Sequence, residues 1–137
     1  MRPRVIPVLT VSGAGLVRTQ RFKEPTYVGD PLNAVRIFNE KEVDELFVLD
    51  ISPDAAGASS RWPRFCELAE EAFMPMAFGG HVDSLEKMEA VFRAGYEKVV
   101  LNTAAMACPG LITEGAAQFG GQSIVLSIDV ARRWGRG

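Results

Sequence analysis

Short apolar segments alternate with longer amphipathic segments along most of the chain. The short segments are mainly apolar on both faces, which is typical of buried parallel strands. They lie at 5–11, 45–49, 76–78, 98–101 and 123–128. Between them, apolar residues recur every three or four positions, which predicts amphipathic helices. These helices lie at about 31–41, 61–73, 85–94 and 109–119. No segment shows a hairpin signal, so the stretch 12–29 is predicted to be a long loop.

The ends of the predicted helices carry residues that helix termini favour. Asp30 is a cap, and Pro31 follows it at the first helical position. Either Asp83 or Ser84 caps the third helix, and Gly95 ends that helix. We expect one apolar stripe on each helix to pack against the strands. The stripes contain Ile37, Phe38, Leu68, Val91, Phe92, Leu111 and Ile112.

Strict alternation of strand and helix predicts parallel strands with helices outside them. Two architectures fit this order, an open doubly wound sheet and a barrel of βα units. The residues at the five strand ends are polar or glycine: Thr10, Asp50, Gly79–Gly80, Asn102–Thr103 and Asp129. Polar groups at every strand end favour the barrel, in which all these ends share one site. A complete barrel takes about 250 residues. We therefore expect 1–137 to be a single α/β domain of the (βα)8-barrel type, a half-barrel of the first five strands and four helices, truncated after the fifth strand.

Composition and charge exclude several classes of function. The 137 residues carry a formal net charge of −2, which argues against a surface for nucleic acid or anionic membranes. No apolar run is long enough to span a bilayer. His81 is the only histidine, so a multi-histidine metal site is ruled out, and we expect neither a metal nor a cofactor. Cys66 and Cys108 lack metal or redox spacing and are expected to be reduced, buried thiols of a cytoplasmic protein.

The strand ends offer a candidate phosphate site. Gly79 and Gly80 let the backbone turn tightly and bring bare N–H groups close to a ligand above the strand. Asn102 and Thr103 end the next parallel strand, so they belong to the same edge. A glycine pair is also the ordinary composition of a plain turn, and the residues alone leave that interpretation open.

Six segments carry a specific resemblance. They read VIPVLTV, VGDPLNAVRIFNE, VDELFVLDI, GGHVDSLE, AGYEKVVLNTAA and QSIVLSIDVARR. In order and spacing they resemble the N-terminal half of the cyclase subunit of imidazole glycerol phosphate synthase, a (βα)8-barrel family of histidine biosynthesis. The resemblance implies a glutamine-dependent, lyase-type cyclase that takes ammonia from a glutaminase subunit in a heterodimer. The implied reaction converts a phosphoribulosyl formimino precursor into imidazole glycerol phosphate and aminoimidazole carboxamide ribotide.

The resemblance also implies roles for individual residues. Asp129 matches one catalytic aspartate of the family, and Thr10 stands where the family has the other. A threonine hydroxyl cannot act as a carboxylate base near neutral pH. His81 replaces the third glycine of the family's phosphate turn, and Arg18 replaces a lysine but keeps a cation. The full implied set for phosphate and substrate binding is Gly79, Gly80, His81, Asn102, Thr103, Arg18 and Asp50.

Three charged residues open strands at the opposite edge. Arg4, Glu45 and Lys98 match the charged ring at the glutaminase-facing mouth of the family's barrel. A ring of alternating sign implies an ion-pair gate that passes neutral ammonia and hinders ions. The alternative interpretation is that strand starts are exposed and therefore often charged.

Two other functions fit the same residues. The segment 15–51 resembles cyclase paralogues of surface-polysaccharide synthesis, which implies an ammonia-channelling subunit serving acetamidino modification of a nucleotide-linked sugar. Such a subunit needs the conduit and the partner surface but not both catalytic carboxylates. The third interpretation is a non-catalytic fragment. An open half-barrel exposes unpaired edges and an apolar interior, so we expect it to self-associate, to be molten or to be insoluble.

Overall fold

A computed structural model describes residues 1–132 of the chain, and helices and one sheet make up most of this part. The strands are β1 (Val8–Ser12), β2 (Gly15–Arg18), β3 (Thr26–Gly29), β4 (Leu46–Asp50), β5 (Met76–Gly79), β6 (Lys98–Leu101) and β7 (Ile124–Leu126). The helices are α1 (Pro31–Glu40), α2 (Ala58–Glu71), α3 (Leu85–Arg93), α4 (Thr103–Ala107) and α5 (Gly110–Phe119), and a 3-10 turn covers Gly121–Ser123. The end of the predicted domain, 133–137, lies outside the described residues.

The described strands form one sheet in the order β3-β2-β1-β4-β5-β6-β7. The pairs β1–β4, β4–β5, β5–β6 and β6–β7 are all parallel. Neighbours in the parallel part therefore follow chain order, as in successive βα units of a barrel. The predicted parallel half-barrel of five strands is confirmed, although the first strand begins later than expected and the last one ends earlier.

The core lies between one face of the sheet and the helices. Alternate strand residues such as Val48, Phe78 and Leu101 join helix residues such as Leu68 and Met88 in one buried cluster. The side chains between them point to the other face, because successive strand residues alternate. On that second face Val8 is 54% exposed, so the surface corresponding to the barrel interior is partly open.

The prediction that the chain contains no hairpin is wrong. Within 12–29, β2 pairs antiparallel with β1, and β3 pairs antiparallel with β2. Ser12 and Gly15 are directly paired across a two-residue turn, and Gly13 at its first position has a φ of +62°. This arrangement is favoured in tight hairpins with glycine at the first turn position. The strands β2 and β3 thus extend the sheet beyond β1 as a two-stranded antiparallel addition.

The predicted helix ends are largely confirmed. Asp30 accepts a hydrogen bond from the Asn33 amide at 3.1 Å, and Ser84, not Asp83, accepts one from the Lys87 amide at 3.2 Å. Gly95 follows α3 with a φ of +108°, a conformation that glycine adopts readily. Within the described residues, no helix is long and apolar enough to cross a membrane.

Three helix predictions need correction. Helix α2 begins at Ala58, because small residues that suggested a loop continue the helix. The short helix α4 was not predicted, so the described helices exceed the expected four. Ile37 is 52% exposed and does not pack inward. It lies two residues from the buried Val35, about 200° away around the helix.

Candidate functional site

The C-terminal ends of the five parallel strands meet at one edge of the sheet. Thr10 and Asp50 lie in the last part of β1 and β4, Gly79 ends β5, and Asn102 follows β6. Asp129 comes after β7, and its Oδ2 accepts a hydrogen bond from the Asn102 side-chain amide at 3.0 Å. Asp129, Asn102 and Thr103 are all exposed at this edge. The sequence-predicted polar groups are therefore gathered on one rim, as barrel topology requires.

Thr10 uses its hydroxyl inside the protein. The Oγ1 atom donates a hydrogen bond to the Val17 carbonyl at 2.5 Å, and so joins β1 to the hairpin strand β2. Because this hydroxyl donates its proton to the Val17 carbonyl, it helps to orient the hairpin. It supplies no carboxylate to the rim.

Asp50 is a buried carboxylate with partners on both oxygens. Its side chain belongs to a residue that is only 5% exposed. Oδ1 accepts from the Ser52 amide at 3.0 Å, and Oδ2 accepts from Arg61 Nε at 3.0 Å. Arg61 balances the buried charge, because an unpaired carboxylate in this position would be strongly unfavourable. The sequence analysis missed Arg61, although a buried aspartate signals the need for a nearby cation.

The two glycines after Phe78 are required by packing. A Cβ on Gly79 would lie 2.8 Å from Val100 Cβ and 2.9 Å from Leu49 Cδ2. A Cβ on Gly80 would collide with the Asp50 carbonyl oxygen, and Gly80 has a φ of +124°. Because neither residue has a side chain, the turn can lie close against the neighbouring strands, whether or not an anion binds there.

His81 follows the glycines in a left-handed conformation, with a φ of +56°. Its Nε2 lies 2.7 Å from the Ser52 carbonyl oxygen, which holds the ring near the end of β4. The residue lines a cavity of about 230 Å³ between α2 and α3, next to Trp62 and Phe78. The imidazole therefore contacts the helix-facing side of the turn, while the backbone of the turn stays at the rim.

Arg18 lies at the end of β2 and is exposed. It lines a surface pocket with Gln20, Lys23, Glu24 and Thr26. Among the hydrogen bonds and ion pairs of residues 1–132, none joins Arg18 to Asp129 or to the glycine turn. The hairpin carries this cation, and the rim carries the other polar groups.

At the opposite edge, the three predicted charged residues are in direct contact. Glu45 is 1% exposed, and its Oε2 lies 3.0 Å from Arg4 Nη2 while its Oε1 lies 2.9 Å from Lys98 Nζ. The Lys98 ammonium approaches Oε1 closely but off the hydrogen-bonding direction, so this buried oxygen has no directed hydrogen bond. A buried carboxylate flanked by two partly exposed cations makes an alternating ion-pair cluster at the strand starts. The alternative interpretation, that strand starts are charged because they are exposed, does not account for the burial of Glu45.

Comparison with known proteins agrees with this geometry. Residues 4–136 match the family model described as histidine biosynthesis protein. The chain is 50% identical over 136 residues to a Pseudomonas aeruginosa protein provisionally named imidazole glycerol phosphate synthase subunit hisF2, covering 98% of the chain and 54% of that protein. It is 46% identical over 133 residues to a Vibrio vulnificus protein provisionally named subunit hisF3, covering 97% of the chain and 51% of that protein. A Mycobacterium tuberculosis protein named imidazole glycerol phosphate synthase subunit HisF is 37% identical over 126 residues, which is 92% of the chain and 47% of that protein. The chain thus spans about half the length of the curated relatives it matches.

Proposed function

Because the chain belongs to the histidine biosynthesis protein family, we propose that it is the N-terminal part of a cyclase subunit of imidazole glycerol phosphate synthase type. The subunit takes ammonia from a glutaminase partner and acts on a phosphoribulosyl formimino precursor. Its products are imidazole glycerol phosphate and aminoimidazole carboxamide ribotide, and its reaction is of the lyase type. Names of the relatives support this reading at the level of the subunit.

The observation that carries the proposal is the buried Glu45. Its carboxylate is buried and is in an ion pair on both oxygens, with Arg4 at 3.0 Å and with Lys98 at 2.9 Å. A small N–H donor entering between Arg4 and Lys98 would compete with Lys98 for Oε1, because the Lys98 contact lies off the hydrogen-bonding direction. Ammonia is a small neutral donor, whereas an ammonium ion would meet two cations first. The cluster therefore suits the ammonia-admitting mouth of a conduit.

The opposite rim suits a phosphorylated substrate. The turn at Gly80 and the side chains of Asn102 and Thr103 offer N–H and O–H donors, which phosphate oxygens accept. Arg18 supplies a cation from the hairpin, and guanidinium matches phosphate geometry. Asp129 acts as the acid or base on the substrate, and the amide of Asn102 orients it. We keep Gly79, His81 and Asp50 as parts of the rim that shape this site.

Phosphate binding tests the proposal directly. Inorganic phosphate titrated into the 137-residue chain is expected to shift the amide NMR signals of Gly80, Asn102 and Thr103. Gly80→Ala should abolish these shifts, because its Cβ would collide with the Asp50 carbonyl. Gly121→Ala is the matched control, since a Cβ there meets no atom within 4 Å. Equal phosphate affinity in all three proteins, or none in the wild type, would refute the rim as a phosphate site.

A second function is favoured by Thr10. The Thr10 hydroxyl donates to the Val17 carbonyl and is not a carboxylate. The rim therefore lacks one acid–base group that the family's ring closure uses. An ammonia-channelling subunit that serves acetamidino modification of a nucleotide-linked sugar needs the cluster around Glu45 but not this carboxylate. An assay of formimino precursor consumption, with an ammonium salt as nitrogen donor, separates the two functions. If the protein is a cyclase, the wild type consumes the formimino precursor and Asp129→Asn loses this activity. If it is a channelling subunit, the wild type does not consume the precursor, and only Thr10→Asp, which supplies the missing carboxylate, can gain this activity.

The expectation that both cysteines are buried is wrong, because Cys66 is partly exposed and Cys108 is exposed. Both thiols are unpaired, which supports a cytoplasmic location for this function, because reducing compartments keep such thiols unpaired.

A further inference from the structure

Three loops of the substrate rim meet at one buried serine. Ser52 is 5% exposed and follows β4. Its hydroxyl accepts a hydrogen bond from the Gly13 amide at 2.9 Å, in the turn after β1. Its carbonyl lies 2.7 Å from His81 Nε2, in the turn after β5, and its own amide donates to Asp50 Oδ1 at 3.0 Å. The ends of three adjacent parallel strands are thus joined through the backbone and side chain of one residue.

The contact with His81 has a fixed polarity. A carbonyl oxygen can only accept, so Nε2 of the ring carries the hydrogen in this contact. Both the neutral tautomer with hydrogen on Nε2 and the protonated ring satisfy this requirement. The contact therefore persists whether or not the ring is charged, which suits a structural tie.

The backbone of His81 is held in an unfavourable conformation. A residue other than glycine is disfavoured in this left-handed region, because its Cβ comes too close to the following carbonyl oxygen, and glycine would avoid this cost. Such a residue persists only where the surrounding contacts over-determine it, and it often lies at a functional site. In this turn the contact that offsets the cost is the hydrogen bond to Ser52.

We propose that His81 and Ser52 are positioning residues that clamp the glycine turn after β5 to the turns after β1 and β4. The clamp fixes the backbone N–H groups of the rim, so that they meet a phosphate without rearrangement; the identity of that ligand rests on the proposed function. In this view the imidazole holds the turn from the helix-facing side, and it does not itself bind the anion.

Two substitutions of His81 test the clamp in the 137-residue chain. His81→Gly removes the ring and relieves the left-handed backbone, so a turn limited only by strain would bind inorganic phosphate as well or better. We expect the opposite, about tenfold weaker binding, in line with the loss of one ordering hydrogen bond. His81→Gln should restore binding to within about twofold, because its side-chain amide can donate to the same carbonyl. Undiminished affinity in His81→Gly, or no rescue by His81→Gln, would overturn the proposal.

Amide hydrogen exchange provides a readout that does not depend on phosphate. Ser52→Ala should speed exchange at Gly13 and also at Gly80, because the clamp joins both turns. His81→Gly should speed exchange at both sites as well, although it leaves the Ser52 hydroxyl intact. Ser59→Ala, an exposed serine on α2, is the control and should change neither.

These two measurements separate the clamp from the proposed function. If the wild type binds no phosphate but the exchange rates respond as expected, the clamp stands and the phosphate rim fails. If Gly13 exchange in His81→Gly equals that of the wild type, the turns are not coupled and the clamp fails, whatever binds at the rim.

Discussion

Lys98 contributes to stability mainly through the buried carboxylate beside it. Replacing Lys98 by methionine leaves Glu45 buried with only the Arg4 partner, and removing one partner of a buried ion pair exposes the cost of the remaining charge. Because the Lys98 side chain is itself 30% exposed, solvent screens part of the effect. We expect Lys98→Met to lower the free energy of unfolding by about 1–2 kcal/mol, measured by urea denaturation.

Lys41→Met is the control for this substitution. Lys41 is exposed and forms none of the ion pairs of the described residues, so its replacement should change stability by less than about 0.5 kcal/mol. Equal effects of the two substitutions would mean that the cluster at the strand starts does not stabilise the fold.

Thr10 should affect the hairpin more than its small size suggests. Thr10→Val keeps the shape but removes the hydroxyl that donates to the Val17 carbonyl. We expect a loss of about 1 kcal/mol in urea denaturation, together with faster amide exchange in β2. Thr113→Val on the exposed face of α5 should change neither quantity. If the two valine variants behave alike, the Thr10 hydroxyl does not tie β1 to the hairpin.

At the residue scale, the sequence predicted which polar residues lie at the rim better than it predicted the side chains that form hydrogen bonds with them. Alternation along strands and the positions of strand ends were enough to bring Thr10, Asp50 and Asn102 to one edge. Ser52 and Arg61 were missed, because their roles depend on the path of the loop after β4. Loop paths are set by packing and capping contacts that have no periodic signal in the sequence.

At the scale of elements, one prediction concerns Tyr96, which joins the segment after α3 to helix α2. Tyr96 is 2% exposed and donates its hydroxyl hydrogen to the Phe65 carbonyl at 2.7 Å. Burial, and to a lesser degree the nearby Cys66, raises the pKa of Tyr96 well above its ordinary value of 10.0. The unfolded chain then loses this proton near pH 10 while the folded chain keeps it. Stability contributed by Tyr96 is therefore complete below pH 10 and falls as the pH rises further.

Tyr96→Phe isolates this contribution. At pH 8 the variant should be about 1 kcal/mol less stable, because one hydrogen bond is lost. Between pH 10 and pH 11 the wild type should lose roughly 1 kcal/mol more than the variant, since only the wild type carries the titrating hydroxyl. Urea denaturation at these pH values measures both effects. Parallel stability curves above pH 10 would show that the hydroxyl is not protected by burial.

The hairpin shows the limit of pattern reading at the element scale. A long loop was predicted for 12–29, but Ser12 and Gly15 enclose a two-residue turn with glycine first, a hairpin signal that is only four residues long. β3 is exposed over most of its length and so lacks an apolar pattern. A strand held mainly by backbone pairing at a sheet edge gives little signal in its side chains.

The parallel core was predictable for the whole molecule because its signals repeat. Each βα unit carries a buried apolar strand, an amphipathic helix and a polar strand end, so an error in one unit is corrected by the others. Bounds shifted by a few residues, as for β1 and α2, because helix and strand ends depend on local caps. The short helix α4 has no buried residue, so no periodic apolar pattern in the sequence predicts it.

The open second face of the sheet leads to a prediction for the whole chain. Val8 is 54% exposed there. Apolar side chains exposed on this face, together with the edge of β7 at the end of the described sheet, favour association. We expect the 137-residue chain to self-associate through this face, as judged by sedimentation velocity at several concentrations.

Two matched valines locate the contact. Val8→Lys should shift the chain towards the monomer, because it places a charge on the open face. Val28, which is 53% exposed on β3, provides the control, and Val28→Lys should leave the assembly unchanged. Circular dichroism must show that both variants keep the secondary structure of the wild type. A monomeric wild type with cooperative unfolding would refute the prediction, and dispersal by Val28→Lys alone would move the contact to the hairpin edge.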